Sequence, residues 1–258
     1  MLFKDILGQV HIKNHLTKSA EAGRIPHAQL FVGPEGSGTL PMAIAYAQYL
    51  LCGNVGGENA GENSACNLKF EHFSHPDLHF VFPVATTDSV KSHAVSDNFM
   101  VEWRQFLTES PYGSLFDWLK NLGIQNKQGL IGVDEATEIN KKLALKAYEG
   151  GYKVMIIWQP EEMNADCANK LLKILEEPPA QTLFLLVSED ASKLMITIQS
   201  RTQLIRVPKI STDDLSAFLQ QTKSQTRTNA DAIAAFADGS VLAAMSYLAT
   251  SEDQDQQR

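Results

Sequence analysis

Apolar and polar residues follow two different periods along this chain, and the first part of it shows both. Over residues 9–23, apolar side chains recur about every four positions with lysine and glutamate between them, which predicts an amphipathic helix that ends at Gly23. A short apolar run at 29–32 predicts a buried strand. The run breaks into a glycine-rich turn, and the apolar positions of 40–51 predict a helix after that turn.

The pattern becomes regular from residue 128 onward. Apolar runs alternate there with helical segments of about a dozen residues, which is typical of an α/β domain built on a parallel sheet. The predicted strands are 130–133, 154–158, 182–187 and 203–207. The predicted helices are 134–149, a helix capped by Asn164 that ends before Pro178, and a helix near 191–198. The glycine-rich turn then belongs at the carboxyl edge of the sheet.

The remaining segments complete the organisation of the chain. Residues 97–107 and 111–122 carry weaker helical patterns, and an alternating strand is predicted near 78–83. After Pro208 the composition changes to small and polar residues in helical periods, introduced by a capping signature at 211–214. We therefore predict an α/β domain over 1–208, a small all-helical domain over 209–250 and a frayed polar tail over 251–258.

Composition narrows the class of protein. The 258 residues are 44% hydrophobic and carry a formal net charge of −8, so the chain can bury a large core but lacks the basic charge of proteins that grip nucleic acid unaided. No apolar run approaches the roughly 18 residues of a membrane helix, and the first residues do not resemble a secretion signal, so we expect no membrane contact and a cytoplasmic protein. Three scattered cysteines predict no disulfide framework.

The glycine-rich turn has the frame of a phosphate-binding loop, with Gly36 standing between Gly33 and Gly38. Thr39 stands where such a loop has its lysine, and Leu40 stands where it has the serine or threonine that binds Mg²⁺. Because phosphoryl transfer depends on positioned positive charge, this loop can hold a phosphate at most. On these residues alone, a structural turn that opens a helix is the more frequent interpretation.

The string at residues 169–179 is far more specific. It reads N-K-L-L-K-I-L-E-E-P-P and resembles the clamp-loader branch of the AAA+ ATPases, and Ser200-Arg201-Thr202 is similar to the S-R-C motif of that branch. By periodicity alone, the leucines would be a core stripe and Arg201 a solvated charge. Further segments resemble the delta-prime family of bacterial DNA polymerase III subunits, in a form found in Bacteroidetes-type bacteria; they are 3–9, 24–28, 75–80 and 153–158.

The resemblance implies an AAA+ domain with a P-loop-type parallel sheet flanked by helices, followed by a helical lid. It also locates the groups that ATP hydrolysis requires. The acid pair of a Walker B motif corresponds to Trp158 and Gln159, and the sensor-2 arginine corresponds to Leu242. Together with the two substitutions in the loop, these positions lead us to expect no ATP hydrolysis and no cofactor. Asp134 and Glu135 follow a different strand, and we interpret Asp134 as a helix N-cap.

Arg201 is the catalytic group that the resemblance leaves in place. In ring ATPases such an arginine reaches the nucleotide of the adjacent subunit, so we expect Arg201, with Ser200 beside it, to act in trans. The resemblance thus implies a non-catalytic subunit of the loader that places the sliding clamp on primed DNA. Its partners would be the tau/gamma ATPase subunits and the clamp-opening delta subunit, with clamp and DNA contacted indirectly. The alternatives are an ATP-binding AAA+ enzyme and a stand-alone anion-binding module.

The resemblance covers about residues 2–250, and family members continue into a helical collar domain beyond the point where this sequence stops. We expect either that the sequence comprises the first two domains alone or that it is an unusually short member. Because the collar supplies most of the oligomer contact in the family, we expect the isolated chain to be a monomer.

The family also implies a four-cysteine zinc module, and Cys52 and Cys66 match its first and last positions. Structural zinc needs four ligands, so we expect no bound zinc and two ordinary thiols at the ends of a polar excursion over 52–66. A zinc site would require histidine ligands from His72, His75 or His79.

Overall fold

A five-stranded sheet organises the molecule, in a computed structural model that describes residues 1–53, 65–149 and 151–256. Its strands are β1 (Ala28–Val32), β2 (Leu78–Val81), β3 (Lys153–Trp158), β4 (Thr182–Ser188) and β5 (Gln203–Arg206). They pair in parallel in the order β2-β3-β4-β1-β5. Because the central strands of a parallel sheet are covered on both faces, they need uninterrupted apolar runs. Those runs predicted β1, β3 and β4 to within a residue at each end.

The strand predicted at 130–133 is wrong. Leu130 and Ile131 make only isolated bridges, one antiparallel and one parallel. Glycines stand on both sides of this pair, and a helix begins directly afterwards at Val133. Too few residues therefore remain for a strand of ordinary length.

Helices cover both faces of the sheet. In chain order they are α1 (Val10–Glu21), α2 (Thr39–Leu51), α3 (Ala65–Glu71), α4 (Met100–Glu109), α5 (Leu115–Asn121), α6 (Val133–Ala144), α7 (Ala165–Glu176) and α8 (Ile196–Gln199). Successive residues of a strand point to opposite faces. Phe31 and Ile156 accordingly join the core formed with α1, α2 and α4, whereas Leu30 and Ile157 join the core formed with α6 and α7.

Two of the predicted helices differ in extent. The helix predicted over 134–149 ends at Ala144, where the backbone of Leu145 is extended. The buried Lys153 ammonium donates to the carbonyl oxygens of Leu143 and, at 2.6 Å, of Leu145. These bonds satisfy carbonyl groups that the end of a helix leaves without partners. The helix predicted near 191–198 is instead a single 3-10 turn followed by the short α8.

Residues 84–126, where the sequence pattern is weak, extend the core through aromatic side chains. The ring of Trp103 stacks on Phe82 at 4.1 Å between centroids and meets Trp118 edge-on at 5.0 Å. The indole nitrogen of Trp118 donates to the carbonyl oxygen of Pro83 at 2.8 Å. These contacts join residues that lie far apart in the sequence, so no local period reveals them.

The last three helices are α9 (Thr212–Lys223), α10 (Arg227–Ala237) and α11 (Val241–Gln256). They enclose a third core that includes Leu215, Leu219 and Ile233. The predicted capping signature folds as a true N-cap, in which the hydroxyl of Ser211 accepts from the backbone N–H of Asp214 at 3.1 Å. We call these three helices the lid. Its independence as a domain stays a prediction.

Candidate functional site at the two edges of the sheet

The glycine loop, residues 33–38, lies at the carboxyl end of β1 and leads directly into α2. The N–H of Gly33 donates to the carbonyl oxygen of Ser188 at 3.2 Å, which fixes the loop between β1 and β4. Gly36 and Gly38 have φ values of +76° and +89°, a region that favours glycine. The sequence therefore placed the loop correctly at the end of the first strand.

Close neighbours in the same chain require these glycines. A Cβ atom on Gly36 would lie 2.1 Å from Ser240 Oγ in the lid, and one on Gly38 would lie 2.8 Å from the Tyr112 ring. In phosphate loops, by contrast, glycine lets the backbone approach the phosphate. Here the glycines allow the lid and Tyr112 to approach the loop.

The lid is attached to the glycine loop by one direct hydrogen bond, and Gln9 links the loop to the segment that leads into the lid. The N–H of Val241, at the start of α11, donates to the carbonyl oxygen of Gly36 at 3.0 Å. The Gln9 amide donates to the carbonyl oxygens of Ser37 at 3.3 Å and Pro208 at 2.6 Å. Leu242, the predicted sensor-2 position, follows Val241 and so lies beside the loop, where it presents an aliphatic side chain. The loop thus anchors the lid to the sheet.

The predicted cation and metal positions of the loop carry side chains that face the protein. Thr39 is 8% exposed, and its hydroxyl lies 3.0 Å from that of Ser37. Leu40 is 5% exposed and belongs to the core shared with α1, α2 and α4.

The predicted Walker B positions, Trp158 and Gln159, also engage the rest of the chain. The Trp158 ring packs 5.1 Å from Trp103 and 5.9 Å from Phe106. The Gln159 amide donates to the Glu189 carboxylate at 2.6 Å. Neither side chain can ligate Mg²⁺ as a carboxylate would.

The space beside the glycine loop, here called the loop cleft, has a cavity volume of only about 30 Å³. It is lined by loop residues together with Tyr112, Trp158, Gln159 and Glu189, and the residues that line it in the described part of the chain include no lysine or arginine. The cleft therefore offers a phosphate no side-chain cation within the chain as described.

Carboxylates give the loop cleft a negative character. Burial raises the pKa of Glu35, and the nearby Glu189 and Asp117 carboxylates raise it further. Burial also raises the pKa of Glu161, although its carboxylate accepts from Ser188 Oγ at 3.0 Å. Raised carboxyl pKa values show that additional negative charge is unfavourable here. A phosphate group placed here would likewise lose hydration, and it would also face the Glu35 and Glu189 carboxylates.

Arg201 lies at the edge of the sheet formed by the amino ends of the strands, opposite the edge that carries the glycine loop. It follows α8 and precedes β5, whose first residue pairs with Gln29 near the start of β1. Since β1 and β5 are parallel, Arg201 is at their amino ends and the glycine loop is at the carboxyl end. Five residues of strand span about 13 Å. The two predicted sites therefore lie on opposite edges of the sheet.

The Arg201 guanidinium is held by three neighbouring groups. Its Nε donates to Oε1 of Glu176 at 2.7 Å, and Nη2 donates to the same oxygen. Its Nη1 donates to the carbonyl oxygen of Thr197 at 2.8 Å and lies 3.4 Å from the hydroxyl of Ser200. The side chain keeps 31% of its surface exposed. Its charge is thus both fixed and accessible.

An open cleft of about 480 Å³ adjoins this arginine, here called the Arg201 cleft. Its lining includes His27, Leu175, Glu176 and Ser200. The sequence assigned no role to His27 or Glu176, although each belongs to a segment that carried the family resemblance. Membership of those segments was the one sequence signal that could have pointed to His27 and Glu176. Their proximity to Arg201 could not be predicted, because only the fold brings the segments together.

The structure corrects the interpretation of Asp134 as an N-cap. The N-cap of α6 is Gly132, and Asp134 lies one position inside the helix, where its carboxylate is 2.7 Å from His93 Nδ1. The following Glu135 is buried and accepts from the N–H of Ser96 at 2.7 Å. Burial raises the pKa of Glu135 to about 7. This acid pair lies away from the loop cleft and supports the segment before α4.

The structure also corrects the expectation of two separate thiols, because Cys52 and Cys66 form a disulfide. The excursion between them was predicted over 52–66, and residues 54–64 of it lie outside the described residues. Cys167 is the free cysteine of the described chain; it is buried, and burial raises the pKa of its thiol to about 11. Pairing depends on how the chain folds, which scattered cysteines alone do not disclose.

The zinc that the family resemblance implies does not fit these residues. A structural zinc ion needs free thiolates, but the two sulfur atoms are bonded to each other. Within the described chain, His75 and Glu149 each place a potential ligand atom within 4.8 Å of Cys66 Sγ, and His72 and His79 do not join this group. His75 already accepts from the N–H of Asp77 at 3.2 Å through Nδ1, while its Nε2 lies 3.2 Å from the Glu149 carboxylate.

Comparison with known proteins identifies the family. A family model described as DNA polymerase III, delta subunit, matches residues 8–211, which is most of the chain. The chain belongs to this DNA polymerase III delta-subunit family. Helices long and apolar enough to span a membrane are not found among the described residues of this family member.

Curated relatives refine the relationship. The delta′ subunit of DNA polymerase III from Haemophilus influenzae is 28% identical over 193 residues, covering 75% of this chain and 46% of the relative. The delta′ subunit from Escherichia coli is 28% identical over 190 residues (73% and 44%), and the tau subunit from Bacillus subtilis is 25% identical over 251 residues (95% and 37%). The delta′ relatives confirm the predicted resemblance to delta-prime subunits, while the Bacteroidetes-type form stays a prediction. The chain spans less than half the length of these proteins.

A solved structure agrees on the fold. A variant of Thermotoga maritima RuvB matches with a TM-score of 0.50 and 12% identity, covering 94% of this chain and 62% of that one. At this identity the likeness concerns the fold alone, and it confirms the predicted α/β class of AAA+ type.

Proposed function

We propose that this family member is a non-catalytic subunit of the DNA polymerase III clamp loader and that it assists a neighbouring ATPase subunit through Arg201. The lining of the loop cleft carries this proposal. The residues that line it in the described ranges contain no lysine or arginine, and two of them are Glu35 and Glu189. Among the described residues the site therefore lacks the side-chain cation that phosphoryl-transfer sites use to stabilise the developing charge.

The position of Arg201 supports its action in trans. An arginine that serves a neighbour has to be exposed and to lie away from its own nucleotide loop. Arg201 is partly exposed and lies at the amino edge of the sheet, opposite the glycine loop. We propose that it reaches the γ-phosphate of ATP bound by the adjacent subunit, with Ser200 beside it.

The proposed partners follow from the family. Relatives named delta′ and tau are subunits of DNA polymerase III. We propose that this chain assembles with tau/gamma ATPase subunits and the clamp-opening delta subunit, contacts the sliding clamp and primer-template DNA only indirectly, and works in the cytoplasm.

Titration of the purified chain with MgATP tests the non-catalytic part of the proposal. We expect no saturable binding below the millimolar range and no phosphate release, whereas a tau/gamma ATPase subunit in the same assay should bind and turn over. Micromolar affinity with turnover would contradict the proposal and favour an ATP-binding AAA+ enzyme. Micromolar binding of inorganic pyrophosphate without turnover would favour the anion-binding module.

A further inference from the structure

Three sequence segments that lie far apart in the chain meet at the Arg201 cleft. They are 24–28, 169–179 and 200–202, and each contributes residues to its lining. Only Arg201 has a proposed task so far. The contacts among these segments assign one to Glu176 as well.

Glu176 occupies a fixed position at the end of α7. It is the last residue of that helix, and two prolines follow Glu177. A proline cannot continue the helix, so the chain turns away at this point. The His27 ring meets the carbonyl oxygen of Leu175 at 2.9 Å and ties the last turn of α7 to the start of β1. The Glu176 carboxylate therefore projects from a supported helix end.

The hydrogen bonds of Arg201 leave its outer edge for a ligand. A guanidinium has five N–H groups. Glu176 Oε1 accepts one from Nε and one from Nη2, and the carbonyl oxygen of Thr197 accepts one from Nη1. The second N–H of Nη1 makes only a long hydrogen bond of 3.4 Å to Ser200 Oγ, and one N–H of Nη2 lies beyond these bonds, so a ligand oxygen has to displace only that weak contact to meet both. Such a pair matches two oxygens of one phosphate group.

We propose that Glu176 is a positioning residue for Arg201: it fixes the guanidinium so that the outer N–H pair meets the γ-phosphate of ATP on the neighbouring subunit. This inference rests on the proposed function of Arg201. Both side chains are partly exposed, 31% for Arg201 and 49% for Glu176, so the pair is screened by water. The ion pair restricts the orientations of the long Arg201 side chain before the neighbouring subunit binds.

The test uses clamp loader reconstituted with this chain and measures ATP hydrolysis stimulated by clamp and primed DNA. We expect Glu176→Ala to lower the rate about fivefold, the upper range for a partly exposed ion pair. Glu176→Gln, which retains an acceptor oxygen, should recover part of that loss. Glu177→Ala removes an exposed carboxylate from the next position and should leave the rate unchanged.

Two further measurements separate positioning from a merely structural role. In a chain that already carries Arg201→Ala, Glu176→Ala should cause no additional loss. Glu176→Ala should also weaken the trapping of ADP with aluminium fluoride, a mimic of the transition state, while leaving ADP binding to the loader unchanged.

The outcomes distinguish this inference from the function on which it rests. An unchanged rate with Arg201→Ala would overturn both. A loss with Arg201→Ala together with a normal or increased rate for Glu176→Ala would overturn the positioning role alone, as would a Glu176→Ala loss that persists when Arg201 is absent.

Discussion

The loop cleft and the Arg201 cleft lie at opposite edges of one parallel sheet, and they differ in both charge and space. The loop cleft has about 30 Å³ of free volume beside Glu35 and Glu189. The Arg201 cleft has about 480 Å³ beside an accessible guanidinium. At the first edge the chain contacts itself, whereas at the second it keeps a charge directed outward. The comparison shows that the glycine loop anchors the lid, and the proposed function assigns the chemistry to the opposite edge.

The largest expected effect tests the loop as an anchor. Gly36→Ala combines an unfavourable φ of +76° with a Cβ placed 2.1 Å from Ser240 Oγ, so we expect a loss of about 3 to 4 kcal/mol in the free energy of unfolding. Gly23→Ala is the matched control, because its φ is +66° but no atom lies within 4 Å of the added Cβ. It should cost only about 1 kcal/mol. Equal losses in urea denaturation would contradict the packing role of Gly36.

The Cys52–Cys66 disulfide, at the end of α2, should contribute to the free energy of unfolding. Cys52 follows α2, and its bond to Cys66 closes a loop with a sequence separation of 14. Loop-closure entropy predicts that reduction costs about 3 kcal/mol of stability. Urea denaturation with and without dithiothreitol should show this difference, and a Cys52→Ser chain should not respond to the reductant. Three titratable thiols in the unreduced, denatured protein would contradict the pairing, since only Cys167 should react.

A smaller effect is expected from Glu135, the buried acid of α6, on the pH dependence of stability. The pKa of Glu135 is about 7 in the folded chain, above the ordinary value of 4.5, so folding favours the protonated form. Its contribution to stability is therefore present at low pH and is lost as pH rises, by about 2 kcal/mol between pH 5 and pH 7. Denaturation of Glu135→Gln, which keeps an acceptor for Ser96, should show a correspondingly weaker pH dependence. An identical pH profile for both chains would contradict the raised pKa.

The strands and the glycine loop could be predicted because local composition determines them. A buried parallel strand is recognisable as an apolar run, and the spacing of Gly33, Gly36 and Gly38 indicates a turn without knowledge of the rest of the fold. Contacts between distant residues could not be predicted in this way. Ser240 and Tyr112 approach the loop from other elements, and no period in the sequence reveals this.

At the Arg201 cleft, too, the contacts between residues could not be predicted from the sequence. The family resemblance identified the segments that contain His27, Glu176 and Arg201, yet their roles depend on which carbonyl and which carboxylate each side chain meets. The pairing of Cys52 with Cys66 likewise depends on the approach of α3 to the end of α2. Sequence therefore located much of the candidate site, and the fold supplied its connections.

The central claim is that the chain acts through Arg201 on a neighbour's ATP, and one measurement tests it most directly. Clamp loader assembled with Arg201→Ala should show a strongly reduced rate of ATP hydrolysis stimulated by clamp and DNA, since an arginine finger contributes roughly 10³–10⁵ in rate at the site it serves. Arg227→Ala, which removes an exposed arginine of the lid, is the control and should preserve the rate. An Arg201→Ala loader that hydrolyses ATP as fast as the wild type would contradict the claim.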